Sequence, residues 1–155
     1  MDNPRVRDVV SLLETSSILV FESESIEVVV ERFAKDSKLI GIFVIDESRR
    51  YKGVITRHEL LQWAKHHLSD IPEDYNLKNI DEIKTHAQTA KALDLVNKGS
   101  SEAYIRMDDP LSKALSLMML YGLIDMPILN DAGEIINDLK LSDILGKILK
   151  DQKVG

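Results

Sequence analysis

The chain has 155 residues, 44% apolar and 30% charged, with a net charge of −6 and no cysteine. Length and composition suit one soluble globular domain, and the absence of cysteine excludes disulfides, thiolate zinc sites and a cysteine nucleophile, which fits a cytoplasmic setting. An acidic balance without a Lys/Arg cluster argues against nucleic acid, no apolar run nears the roughly 20 residues of a membrane span, and the N-terminus leads into no signal-peptide core.

Taken in order, Val6, Val9, Val10 and Leu13 space a short helix over residues 5–14, which breaks at Thr15-Ser16-Ser17. Ile18-Leu19-Val20-Phe21 reads as a strand. Ser25 is a good N-cap for a helix over 26–35. Leu39 to Ile45 is an uninterrupted apolar run and predicts a buried strand, and Tyr51 to Thr56 is its return strand after a polar hairpin. A helix follows that is expected to bury Leu60, Leu61, Ala64 and Leu68. Past a loop around Pro72, Ile80, Ile83, Ala87, Ala90 and Leu93 keep helical spacing, with Gly99 as the residue ending that helix. Ala103 to Met107 predicts a strand, and Pro110 opens a helix that Gly122 breaks. Met126 to Leu129 and Ile135 to Leu139 are strands about a turn at 131–133, and a helix over 141–150 closes the chain.

Half of this is written twice, about 85 residues apart, which makes repetition the first thing to explain. Ile26, Val29, Val30, Phe33 and Ala34 match Leu111, Ala114, Leu115, Met118 and Met119 as one helix face. Residues 41–46 line up with 125–130, and Glu59-Leu60-Leu61 with Asp143-Ile144-Leu145. One copy of roughly 50 to 60 residues would be marginal alone, so two copies sharing a core are expected.

The layout resembles a tandem pair of cystathionine-β-synthase (CBS) domains, a Bateman module. The family's pattern of Gly, two apolar residues, Thr or Ser, two residues and Asp appears as Gly53-Val54-Ile55-Thr56-Arg57-His58-Glu59 and as Asn137-Asp138-Leu139-Lys140-Leu141-Ser142-Asp143. The first version has Glu59 for Asp; the second has Asn137 for Gly and Lys140 for Thr. Met126-Pro127-Ile128 matches the family's apolar-Pro-apolar strand start, where the first copy has Phe43. The resemblance implies an α+β fold of two pseudo-symmetric β-α-β-β-α repeats packed into one module with facing sheets. The expected divisions are a first repeat over 6–68, a connection over 69–100 and a second repeat over 101–150.

The resemblance further implies a regulatory, non-catalytic module that binds an adenosine-containing ligand (AMP, ADP, ATP or S-adenosylmethionine) in clefts between the copies. It would act on a partner protein in trans and form a homodimer, pairing through Leu60, Leu61, Ala64, Ile144, Leu145 and Ile148. Carried over, Thr56 would meet phosphate and Glu59 ribose in one cleft, with Lys140 and Asp143 in the other. Ile42 and Met126 would wall the adenine, and Arg57 and Arg106 would supply further cations. Each has a plainer reading: Thr56 as a helix N-cap, Glu59 and Asp143 as acids favoured in a first turn, Lys140 as a solvated charge, Arg57 as an exposed helix-start residue. The rival function is a dimerising or docking scaffold whose clefts have decayed. No phosphate-binding Gly-rich loop and no His-carboxylate-hydroxyl grouping suggests an enzyme. His66-His67 offers a weak metal pair, His58 lies inside the first motif and could equally face water, Met118-Met119 reads as core, and Asp46 ends an apolar strand without the parallel sheet a phosphoacceptor would need.

Overall fold

Strand β2 (Gly41–Ile45) is buried at every position because both of its faces are covered. In the computed structural model, which describes residues 3–10, 18–68 and 90–154, β2 lies between β1 (Ile18–Phe21), parallel to it, and β3 (Tyr51–Thr56), antiparallel. Ile42, Val44 and Ile55 join Val20, Leu39, Val29 of helix α1 (Ile26–Lys35) and Ala92 in one apolar cluster. Phe43, Tyr51 and Val54 join a second cluster made mostly of residues beyond position 100. A strand enclosed in this way has no need of polar alternation, which is why it reads as one continuous apolar run.

The second half repeats the first down to its irregularities. Helix α3 (Leu111–Tyr121) starts after Pro110 and stops at Gly122, whose φ of 66° closes the helix in the left-handed region. Strands β4 (Asp125–Leu129) and β5 (Ile135–Lys140) pair as β2 and β3 do: Gly41 with Thr56 and Asp125 with Lys140 at one end, Ile45 with Tyr51 and Leu129 with Ile135 at the other. Each pair carries a bulge one step before that far end, between Val44 and Ile45 and between Ile128 and Leu129. The turns match too. Asp46 Oδ1 accepts from the N–H groups of Ser48 and Arg50, and Asn130 Oδ1 from those of Ala132 and Glu134. Helix α2 (Arg57–Leu68) follows β3, and helix α4 (Leu141–Val154) follows β5.

The two halves are laced together by their leading segments. Ahead of the second copy, Ala90 accepts from the N–H of Ile26, while the N–H groups of Ala92 and Leu93 donate to Glu24 and Glu22. Ahead of the first copy, Pro4 accepts from Leu111, while Val6 and Arg7 donate to Asp109 and Met107. Both sets are the same three backbone bonds, and in both the segment preceding one copy docks on the other copy's helix start. Val6 and Ala92 are completely buried in the clusters they enter.

Several expectations change. The strand over 103–107 contracts to one bridge, Ile105 with Ile128. Ile105 donates to Pro127 and accepts from Leu129, but the next rung needs an N–H from Pro127, which has none. The helix ending at Gly99 does not reach residues 90–99; Ala92–Leu95 and Ser100–Glu102 are short 3-10 turns, and Gly99 precedes the second of them. Docking on the start of α1 holds Lys91 extended ahead of the first of these turns. Ile80, Ile83 and Ala87 lie outside the described residues. Of the short helix expected over 5–14, Val6–Asp8 forms a 3-10 turn and residues 11–14 lie outside the described ones. Helix α2 buries Glu59 and leaves Leu61 69% and Leu68 82% exposed. On the matched helix faces, Met119 and Ala34 are also exposed.

Gly53 is where β3 meets the segment 96–100. The N–H of Val54 donates to Ser100 Oγ at 3.0 Å, and the Tyr51 hydroxyl donates to the Ser100 carbonyl at 2.7 Å. A Cβ on Gly53 would lie 3.0 Å from Ser100 Oγ and 3.1 Å from Val96 Cβ, at a φ of 148° that side chains rarely adopt. We expect Gly53→Ala to lower unfolding free energy by about 1–3 kcal/mol. Gly146→Ala, inside α4 with open space around it, should raise it by about 0.5–1 kcal/mol. Urea titration of both variants checks the contrast.

Candidate functional site

At the end of β3 the chain turns directly into α2, and the turn is held by a reciprocal cap. Thr56 N–H and hydroxyl both donate to Glu59 Oε1 at 3.0 Å, and Thr56 Oγ1 accepts from the N–H of His58 at 3.2 Å. This is the capping box that Thr-x-x-Glu writes in sequence, and it explains why Glu59 is buried on an otherwise open helix. The same turn in the second copy is held by Lys140 N–H donating to Asp143 Oδ2 at 3.0 Å. Both motif carboxylates thus serve their helices. A carboxylate has about four lone-pair sites, so capping uses part of its capacity.

A cleft of about 240 Å³ opens at the seam between the copies beside the start of α2. The first copy lines it with Ile40, Gly41, Val54, Thr56, Arg57 and His58. The second copy contributes the loop from α3 to β4, Gly122 to Asp125. One wall is therefore the N-terminal turn of a helix, where N–H groups lack intrahelical partners and the dipole is positive. The facing wall is apolar except for Asp125. The Arg57 guanidinium donates to the Ser37 carbonyl, which keeps the charge at the cleft's margin.

The structure places the other expected site residues elsewhere. Ile42 and Met126 are completely buried in the two apolar clusters and do not line this cleft; Ile40 and Ile124 stand where a ligand would meet apolar surface. Arg106 pairs with Asp131 on the exposed surface. Lys140 Nζ donates to Asp138 Oδ2 at 2.9 Å, with the Asp138 side chain 1% exposed. Asp46 is engaged in its turn, where the backbone N–H of Arg50 and then that of Ser48 hold its carboxyl below the usual range. Among the described residues no three His, Cys, Asp or Glu side chains are placed to hold a metal ion.

Asp125 and Asp138 were not proposed as site residues, and Asp125 is strongly perturbed by its surroundings. Burial first, then a hydrogen bond to Asp138 and the Asp138 charge, push the Asp125 carboxyl up to about 9. Burial and the Asp138 carboxylate thus both favour the protonated form of Asp125. Its Oδ1 has no partner among the described residues. Burial works against the charge on Lys140, but the bond to Asp138 and the nearby carboxyls outweigh it and hold the ammonium above its usual range. The sequence signal was present: two acids at strand positions where the first copy has Gly41 and Val54.

A carboxyl raised on folding holds one more proton in the folded state than in the unfolded state between the two values. Its contribution is complete below about pH 4 and is lost progressively as pH rises toward 9. The loss is at most about 1.4 kcal/mol per pH unit. We expect Asp125→Asn to flatten the decline in stability between pH 6 and 9, in urea titrations of variant and parent at several pH values.

Residues 6–66 match the family model described as CBS domain. None of the curated proteins matches the sequence. Among solved structures the chain is similar to a CBS domain-containing protein from Thermotoga maritima, with 27% identity and a TM-score of 0.74 over 97% of each chain. It is similar to the CBS-pair protein CBSX2 from Arabidopsis thaliana, with 18% identity and a TM-score of 0.70 over 98% of this chain and 99% of that one. A CBS domain protein from Pyrobaculum aerophilum, complexed with AMP, gives 16% identity and a TM-score of 0.63 over 90% and 89% of the two chains. CBSX2 has also been solved in complex with AMP. The match makes residues 6–66 a CBS domain, and the likeness over nearly the whole length, taken with the repeated register, gives the chain the fold of a CBS pair.

Proposed function

We propose that the chain is a cytoplasmic regulatory module that binds an adenosine-containing nucleotide at the seam and passes its occupancy to a partner protein. The observation that carries this is the cleft in which Thr56, Arg57 and His58, at the start of α2, face the apolar Ile40 and Ile124. Phosphate suits the helix start and Arg57, and a flat apolar-walled slot suits a purine. Glu59, expected at the ribose, is buried in its cap and is not among the residues lining the cleft. AMP in two structurally similar proteins supports the reading. With a net charge of −6, the field of the whole protein opposes an anion, so the local cations and the helix start must supply the attraction.

A nucleotide touching both copies would favour one relative angle of the halves by its differential affinity, which is the signal available to a partner. AMP, ADP, ATP and S-adenosylmethionine are the ligands to compare. One of them at a hundred times its dissociation constant should stabilise the fold by about 2.7 kcal/mol, read as a raised melting temperature. Arg57→Ala should reduce that rise at equal ligand concentration. A melting temperature indifferent to all four ligands would leave the scaffold reading in its place.

Homodimerisation is favoured by a separate observation. Leu61 on α2 and Leu145, Ile148 and Leu149 on α4 are exposed, while Ile144, expected in the interface, is completely buried and cannot take part. Sedimentation equilibrium at micromolar concentration should show a dimer, and Leu145→Lys combined with Ile148→Lys should return it to monomer.

A further inference from the structure

The two copies share a backbone but not a charge pattern at the seam. Matched by register and cap, Gly41, Val54, Thr56 and Glu59 of the first copy correspond to Asp125, Asp138, Lys140 and Asp143 of the second. On the first side, glycine, an apolar side chain and a capped hydroxyl leave room beside the start of α2, and the cleft is there. On the second side, Asp138 is sealed from solvent with its Oδ2 2.9 Å from Lys140 Nζ. Resting on the nucleotide reading above, we infer that the chain takes a single nucleotide, in the first cleft, and that the Asp138–Lys140 ion pair closes the second seam to phosphate.

The argument is one of competition. Lys140 is the side chain at the start of α4 that would greet a phosphate. To do so it would have to leave a carboxylate whose side chain is 1% exposed, and drawing a bonded cation away from a buried charge is costly. Asp143, in the first turn of α4, adds a further negative charge close by. A phosphate would bring its charge into the same place. Asp125 also lines the first cleft. Burial and the neighbouring Asp138 both favour its protonated form, which lessens its repulsion of an anion bound by Arg57 and the helix start.

Isothermal titration of AMP into the full chain tests the assignment. The parent should bind close to one AMP per chain, and Arg57→Ala should weaken that site at least tenfold. The double variant Asp138→Val with Lys140→Thr, which places first-copy residues in the second seam, should gain a second and weaker site. A parent stoichiometry of two would overturn the inference while leaving the nucleotide reading intact. So would a tight site that survives Arg57→Ala and disappears in the double variant. If the parent is silent toward AMP, the same titration is made with ADP, ATP and S-adenosylmethionine, and silence toward all four would end the nucleotide reading and this assignment with it. A ligand-free arm separates the ion pair from the nucleotide: Lys140→Thr alone, which takes a bonded cation from the buried Asp138, should melt below the double variant. Equal melting of the two would show that the buried pair does not hold the seam, whatever binds.

Discussion

The structure depends on an exchange: each half borrows the backbone that completes its own helix start. The first N–H groups of an α-helix have no partner within it. Here the N–H of Ile26, opening α1, finds Ala90, and the N–H of Leu111, opening α3, finds Pro4. Those carbonyls belong to the segments that lead into the opposite copies. Val6 and Ala92 then carry the segments into the opposing apolar clusters, so the link is both hydrogen-bonded and packed. A three-stranded sheet with two helices buries little by itself. Crossing the leading segments makes the seam an interior of the protein, and a cleft on that seam inherits fixed walls.

Much of this was legible because it rests on local pattern. Apolar spacing on α1 and α3, the continuous run at β2 and the paired turns follow from contacts a few residues apart. Thr56-x-x-Glu59 is likewise local, and its cap reading is the geometry observed. What escaped depends on groups distant in sequence. Nothing near Ala103 shows that its strand will be cut short; the cause is the missing N–H of Pro127 on the neighbouring strand. The spacing of Leu60, Leu61, Ala64 and Leu68 marks a helix with apolar side chains, but only the tertiary arrangement tells how many are covered, and in α2 Leu61 and Leu68 are not. The segment around Ala90 keeps a helical period and is nevertheless held extended, since its polar groups are taken by Glu22, Glu24 and Ile26.

The site divides along the same line. Asp125 and Asp138 are separated by β4, a turn and most of β5, and hairpin pairing brings them together: Asp125 lies opposite Lys140, and Asp138 opposite Pro127. Read singly, each is an acid in an apolar strand and argues against burial. Only the pairing shows that Asp138 meets Lys140 and that Asp125 lies beside them. The motif residues, by contrast, announced themselves as a group, and the common backbone made Glu59 and Asp143 do the same work despite differing by a methylene.

That common work explains why the copies could diverge where they do. A capping carboxylate is constrained by the N–H it must reach, and both copies keep one. Its partner residue is freer: Thr56 offers a hydroxyl that Glu59 also binds, whereas Lys140 offers only its N–H to Asp143 and sends its charge to Asp138. The backbone of the turn is indifferent to this change, so the fold persists while the chemistry of the seam departs from symmetry.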